Sequence, residues 1–310
     1  MKKFILVRVV NILITLLIIA TLTFFLMKTL PGSPFDEEKL ADLTEEARME
    51  FLARYGLDEP VHVQYFKYMA NLAKGDLGLS YYYKEQPVSS IILERIGPSA
   101  LIGFQAVVLG LSIGIILGMI AAFRHNTVWD YFTMIIAVLG VSIPNFVLAA
   151  FLQFYVGLKM GILPVAYWES YDHSILPTIA LTVGVIAQIA RFMRNEMLEV
   201  LQQDYIMTAQ AKGLGDWVVM IRHAIRNALI PIVTILGPIV VSLMTGSLVI
   251  ESIFSIPGIG SLFVDSIKMN DYTTIMGLTL FYSAFFILAI LIVDILYGII
   301  DPRIRVHGKG

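Results

Sequence analysis

Cysteine is absent from this 310-residue sequence, which excludes disulfides, thiolate metal sites and cysteine nucleophiles. Charge is also scarce. Asp, Glu, Lys and Arg make up 15% of the chain, against about 25% in soluble globular proteins. No Walker-type Gly-Lys loop occurs, so the chain does not bind and hydrolyse ATP in that manner. The histidines (His62, His125, His173, His223, His307) show no His-Glu-x-x-His spacing, and there is no Gly-x-Ser-x-Gly, which removes zincin and serine-hydrolase chemistry. No catalytic residue, cofactor or metal is expected.

What the chain does have is apolar length. Hydrophobic residues make up 57% and the mean hydropathy is +0.78, which describes an integral membrane protein. Val9–Met27 follows Lys2, Lys3 and Arg8 and has about the 20 residues a span requires. A signal-peptide core is shorter, about 7–15 residues, and ends at small residues, so an uncleaved first span is expected. Five further runs cover about Ser99–Phe123, Tyr131–Gly157, Ile175–Phe192, Leu229–Ile250 and Thr273–Ile300. Ser142-Ile143-Pro144 is expected to kink the third span. Trp168–Asp172 and Glu251–Gly260 read as partly re-entrant, with a helix-length stretch at Ser261–Met269.

Short inner loops carry the Lys/Arg excess. With an inside amino terminus, those loops hold Arg124, Arg194, Lys212, Arg222, Arg226, Arg303, Arg305 and Lys309, and the short outer loops only Lys159 and Lys268. The expected fold is therefore an all-α membrane protein with six spans and both termini cytoplasmic. Residues 1–30 are the first span, 31–97 a helical extracytoplasmic insertion, 98–300 a five-helix core with a cytoplasmic loop at 194–228, and 301–310 a tail. Within the insertion, Thr44 begins one helix and Val61–Leu72 forms another, broken by Gly75–Gly78 before Tyr81–Tyr83.

Charge deep in the spans is nearly missing. Glu251, Asp294 and Arg191 lie near span ends, which speaks against a proton- or ion-coupled carrier. The polar residues at depth are neutral. Gln105, Ser142, Asn145, Gln153, Gln188, Ser242 and Thr245 are candidates for lining a solute path, while each alone also reads as an interhelical hydrogen-bonding residue. Gly213-Leu214-Gly215-Asp216 and Tyr171-Asp172 match the two short motifs of intramembrane aspartyl proteases. On this topology about 30 Å of hydrocarbon separates them, so no dyad forms.

The loop Asp204–Pro231 is the remaining place for energy to enter. It reads as two short helices: Asp204 caps the first, Gly213 and Gly215 end it, and Asp216 caps the second, which carries an apolar stripe at Val218, Ile221, Ile225 and Ala228. Met207-Thr208-Ala209 stands where Glu-Ala-Ala would, followed by Gly213 and by His223-Ala224-Ile225-Arg226. Thr208–Leu214 and Arg222–Pro231, with Leu30–Pro34, Tyr55–Pro60, Gly75–Ser80, Met197–Leu201, Glu251–Gly260 and Asp301–Arg303, extend the match over nearly the whole chain. In these motifs the sequence resembles the permease subunits of binding-protein-dependent ABC importers, first-permease type of the oligopeptide/dipeptide/nickel group. The resemblance departs in having no Glu, one Ala of two and no Pro at Arg226.

The resemblance implies a heteromeric importer in a bacterial-type inner membrane. Its partners would be a related second permease, two ATPase subunits, an extracytoplasmic solute-binding protein, membrane lipid and a peptide substrate, with no nucleic acid. It also implies that Tyr205, Met207, Thr208, Ala209, Ala211, Lys212, Gly213, Leu214 and His223 meet the ATPase. Nickel or another small solute is the alternative cargo. A stand-alone channel or secondary carrier is the alternative of another class, and for the loop alone the alternative is an amphipathic segment lying on the inner membrane surface.

Overall fold

In the computed structural model, residues 2–30, 44–83 and 86–300 are described, and everything described is helix or connection apart from one isolated bridge, Leu79 to Pro87. The helices are α1 Lys2–Thr29, α2 Glu45–Arg54, α3 Val61–Ala73, α4 Val88–Phe123, α5 Val128–Ser142, α6 Asn145–Leu152, α7 Ile175–Leu201, α8 Asp204–Ala211, α9 Asp216–Val219, α10 Ile225–Met244, α11 Leu248–Ile253, α12 Ile259–Lys268 and α13 Tyr272–Ile300. The motifs Pro31–Pro34 and Asp301–Arg303, the 31–43 part of the insertion, the tail and the chain ends lie outside the described residues.

Among the described residues, five helices are long and apolar enough to cross a membrane: Val7–Thr29, Val88–Phe123, Tyr171–Leu201, Trp217–Ile253 and Tyr272–Val293. The third expected span differs from the others. Its two halves, Val128–Ser142 and Asn145–Lys159, meet at 93°, and they make a sixth span only if the pair is counted as one. Pro144 has no N–H to continue the ladder and forces Ile143 out of the helical region, to ψ 118°. The result is a right-angle break, where the sequence suggested a kink.

The chain divides into two compact units. One comprises Met1–Gly97 and Gly258–Ile287. In it, Val88, Ile91 and Ile92 of α4 pack with Ile259, Leu262 and Leu278, and Phe24 and Met27 of α1 pack with Ile275 and Met276. Asp271, fully buried, joins the 80–83 turn to the start of α13. It accepts from Ser80 Oγ, from the Tyr81 N–H (3.1 Å) and from Thr274 Oγ1 (2.7 Å) and N–H (3.3 Å). Gly78 takes φ +86°, and a Cβ there would stand 2.8 Å from Thr273. Both its turn and its neighbour require glycine.

The other unit comprises Pro98–Pro257 and Leu288–Gly310. Its spine is α7, closely approached by α4 through three glycines: a Cβ at Gly110 would lie 2.5 Å from Val185, at Gly114 2.8 Å from Ile189, and at Gly118 2.6 Å from the Ala190 carbonyl. Glycine at such spacing lets two backbones pack in contact. Of the two segments expected to be re-entrant, Glu251–Gly260 is met by the residue just before the other, the Tyr167 N–H donating to the Phe254 carbonyl (2.8 Å). Buried Glu251 accepts from Ser99 Oγ at 2.7 Å, just beyond Pro98 in α4.

The candidate coupling loop and pathway residues

α8 forms where expected and ends as expected: Gly213 takes φ +80°, and its N–H and that of Leu214 close back on Gln210 and Ala209. The caps differ. Gln203 occupies the N-cap position without a side-chain bond, and Asp204 sits inside the first turn, where its charge favours the helix dipole. Gly215 fills the cap position of the second helix, its carbonyl accepting from Val218 and Val219. The Asp216 side chain lies outside those described.

The second half of the loop is not a separate short helix. α9 runs through a π turn, Met220–Ala224, into α10 without interruption. A π turn adds a residue to the local repeat, and this slips the apolar face. Val219, Met220, Ala224 and Ala228 are the buried residues, whereas Val218 and Ile221 of the expected stripe are 38% and 46% exposed. Trp217, 64% exposed, joins them. Sequence periodicity missed these outward positions because it assumed a regular α repeat.

The small helix α8 is seated by its inward face. Ile206 (0% exposed) and Ala209 (6%) pack among Met193, Met197, Val219, Met220, Ala224 and Ala228. Asn227 donates to Tyr205 Oη at 2.7 Å and to the His223 carbonyl at 3.1 Å, tying α8 to α10. Tyr205, Met207, Thr208, Ala211, Lys212, Gly213 and Leu214 are all exposed and His223 is half-buried. Of the nine residues singled out by the resemblance, Ala209 alone points into the chain's own core.

The seven pathway candidates separate into two sets. Gln105 accepts from Thr178 (2.6 Å) and donates to Tyr171 Oη (2.8 Å), and Gln153 donates to the carbonyls of Val165 and Ile253 (2.9 and 2.8 Å). Ser142 and Thr245 donate to carbonyls one turn back in their own helices. In all four, the side chain is engaged within the chain. Asn145, Gln188 and Ser242 are exposed. Asn145 lies beside Gly184, one turn from Gln188 on α7.

Composition and spacing gave no sign of a clamp beside the loop. Asp130, 2% exposed at the start of α5, accepts from Arg194 Nε (2.6 Å) and Nη2 (2.8 Å) and from the Asn126 N–H (3.0 Å), with His125 Nδ1 at 3.0 Å. A planar guanidinium and a carboxylate in this arrangement make a bidentate pair. It fixes the start of α5 to α7 two turns before α7 enters the loop.

Comparison with known proteins places these elements. The family model described as "Binding-protein-dependent transport system inner membrane component" matches residues 114–306, and its N-terminal companion matches residues 1–100. The chain belongs to this family. It is accordingly a multi-pass inner-membrane transport subunit without catalytic activity of its own, the permease part of a system that also contains an ATPase and a binding protein. The first model spans the whole loop and both halves of the broken helix, and the second spans α1 and the insertion.

Among curated relatives of the permease, the dipeptide transport system permease protein DppB of Bacillus subtilis is 48% identical over 96% of each chain. DppB of Lactococcus lactis is 43% identical over 98% of this chain and 100% of its own. The oligopeptide transport system permease protein OppB of Escherichia coli is 42% identical over the same shares. Among solved structures, a methionine ABC transporter in an inward-facing conformation matches with TM-score 0.55 and 17% identity, over 70% of this permease and 99% of that chain. An amino acid ABC transporter matches with TM-score 0.53 and 14% identity, over 69% and 94%. At such identity these two speak to the fold, which is that of ABC importer permeases.

Proposed function

We propose that this permease carries dipeptides or oligopeptides inward, forming half of the pathway beside a second, related permease, and that two ATPase subunits drive it through the loop Asp204–Pro231. Full-length similarity to dipeptide and oligopeptide permeases supports the cargo. The observation that carries the coupling is the outward face of the loop. Tyr205, Met207, Leu214, Trp217 and Ile221 are exposed apolar or aromatic groups on helices whose opposite face, at Ile206, Ala209, Val219 and Met220, is seated in the core. Such a patch, rimmed by Lys212 and Arg222, suits insertion into a partner's groove.

On this reading both chain termini and the loop are cytoplasmic, 31–97 is an extracytoplasmic insertion that meets the binding protein or roofs the pathway, and lipid surrounds the spans. Ala209 and Ile206 hold α8 in position, while Met207, Leu214 and Trp217 make the contact. Asn145, Gln188 and Ser242, whose side chains are open, are the pathway candidates. The three lack charge and would pass varied peptides, leaving selection to the binding protein.

The test is a reconstituted complex with its own ATPases and binding protein, assayed for uptake of labelled di- and oligopeptides. Met207→Asp and Trp217→Asp are expected to leave the permease inserted and folded while lowering both ATPase retention and uptake. Wild-type uptake by both variants would overturn the coupling assignment. Peptide flux through the purified chain alone, without ATP, would instead support the stand-alone channel or carrier.

A further inference from the structure

We propose that α3, outside the spans, is an interfacial helix whose Tyr65–Phe66–Met69 flank is seated in the bilayer beside the C-terminal end of α1. The bilayer boundary of headgroups and acyl chains is its partner. The inference rests on α1 being a span, as the proposed function requires.

The observation is a pair of contacts at different depths on α1. Gln64 Oε1 accepts from Lys28 Nζ, at the last turn of α1. Its neighbour Tyr65 reaches Thr21 Oγ1 at 2.9 Å. Thr21 already donates to the Leu17 carbonyl, so Tyr65 is the donor. Seven residues separate Thr21 from Lys28, about 10 Å along a helix axis. Adjacent residues of α3 thus touch α1 one and a half to two turns apart, so α3 crosses the end of α1 with one flank turned down the span and the other turned out of it.

Side-chain chemistry sorts along that division, except that His62, in the first turn of α3, falls between Met69 and Phe66. At 100° per residue, Met69 and Phe66 follow Tyr65 around the deep flank. Gln64, Asn71 and Lys67 occupy the shallow one, where Lys67 pairs with Glu59. Phe66 is 68% exposed although its neighbour Tyr65 is packed on Phe24 and Phe25, with ring centroids 5.4 Å away in each case. The α1 residues beside these contacts, Leu22, Phe25 and Leu26, are themselves 46–65% exposed, as expected of a lipid-facing surface. An exposed phenylalanine directed along that surface continues it. Helices of this kind lie with the apolar flank about 5–10 Å into the headgroup–acyl boundary.

The absence of native cysteine makes the test direct. Single variants Phe66→Cys, Met69→Cys, Lys67→Cys and Asn71→Cys of the full chain, nitroxide-labelled in phosphatidylcholine nanodiscs, are compared for collision with oxygen, which partitions into lipid, and with a water-soluble nickel chelate. Labels at 66 and 69 are expected to favour oxygen and those at 67 and 71 the chelate, a change of sign in the depth parameter between adjacent residues. Ile18→Cys on α1, 52% exposed in the wild type, is the reference. Chelate preference at 66 and 69, or shielding from both probes, with oxygen preference at 18, overturns the inference alone; the shielded case means protein covers this flank. Chelate preference at 18 overturns the span on which it rests.

Discussion

Breaking the Asp130–Arg194 clamp is the most quantitative test of how the loop is held. Arg194→Ala removes two charge-assisted bonds, at 2.6 and 2.8 Å, from a carboxylate whose side chain is 2% exposed. Removing one partner of a buried pair costs about 3–5 kcal/mol, because the remaining charge stays buried. Two circumstances place this case near the lower end. Arg194 is 18% exposed, so water relieves part of the penalty. The Asn126 N–H and His125 also remain on Asp130 Oδ2. We expect a loss of about 3 kcal/mol, most of it recovered when Asp130→Asn is added, since the neutral amide no longer requires a cation.

The assay is an SDS titration of each variant in mild-detergent micelles, followed by circular dichroism and closed as a double-mutant cycle. The coupling energy should be about 1.5–3 kcal/mol. A value below about 0.5 kcal/mol, the range of exposed surface pairs, would refute the argument that burial makes this pair strong. In the reconstituted complex, Arg194→Ala should also hydrolyse ATP with reduced uptake, since α5 would no longer follow α7.

Three further outcomes follow from local geometry. Gly213→Ala should cost about 1 kcal/mol, because φ +80° is unfavourable for an L side chain, whereas Gly215→Ala, with open space and no positive φ, should be neutral; equal effects on melting temperature would contradict the helix-ending role. Ile206→Ala should destabilise by about 2–5 kcal/mol and raise protease sensitivity near Lys212, read by limited trypsinolysis, with no change counting against the seating of α8. Gly114→Val would drive a Cβ to 2.8 Å from Ile189 and 3.1 Å from the Ile186 carbonyl. Overpacking of about 1–3 kcal/mol should appear as a shifted SDS midpoint, and an unchanged midpoint would mean that α4 and α7 are not in backbone contact.

The apolar runs and their flanking charges made the spans legible, since a length of about 20 apolar residues is a strong constraint by itself. The first loop helix and its terminating Gly213 were legible for a similar reason, because the signal is local. Three kinds of feature were not. A proline announces an interruption but not its angle, so the 93° break came unannounced. The π turn at Met220–Ala224 has no side-chain signature, and it moved the buried face from Val218 and Ile221 to Val219 and Met220. The buried polar pairs Asp130–Arg194, Ser99–Glu251 and Ser80–Asp271 join residues 64, 152 and 191 apart in the chain. Such separations leave nothing for periodicity or spacing to detect. Among the pathway candidates, polarity alone could not distinguish Gln105 and Gln153, which staple the unit, from Asn145, Gln188 and Ser242, which remain open.

The unbroken passage from α9 through the π turn into α10 bears on stiffness. On one side α7 continues through Leu201, and on the other helix is continuous from Asp216 to Met244, with the π turn at Met220–Ala224 and with Pro231 and Pro238 inside it. α8 itself joins these arms through Gln202–Gln203 and Lys212–Gly215, which lie outside the helices. The π turn and the two prolines, each of which interrupts the regular hydrogen-bond ladder, are points where the second arm can bend before Thr245–Ser247 is reached. A helix without a gap is therefore not a uniformly stiff one, because its softer points lie along its length as well as at its end.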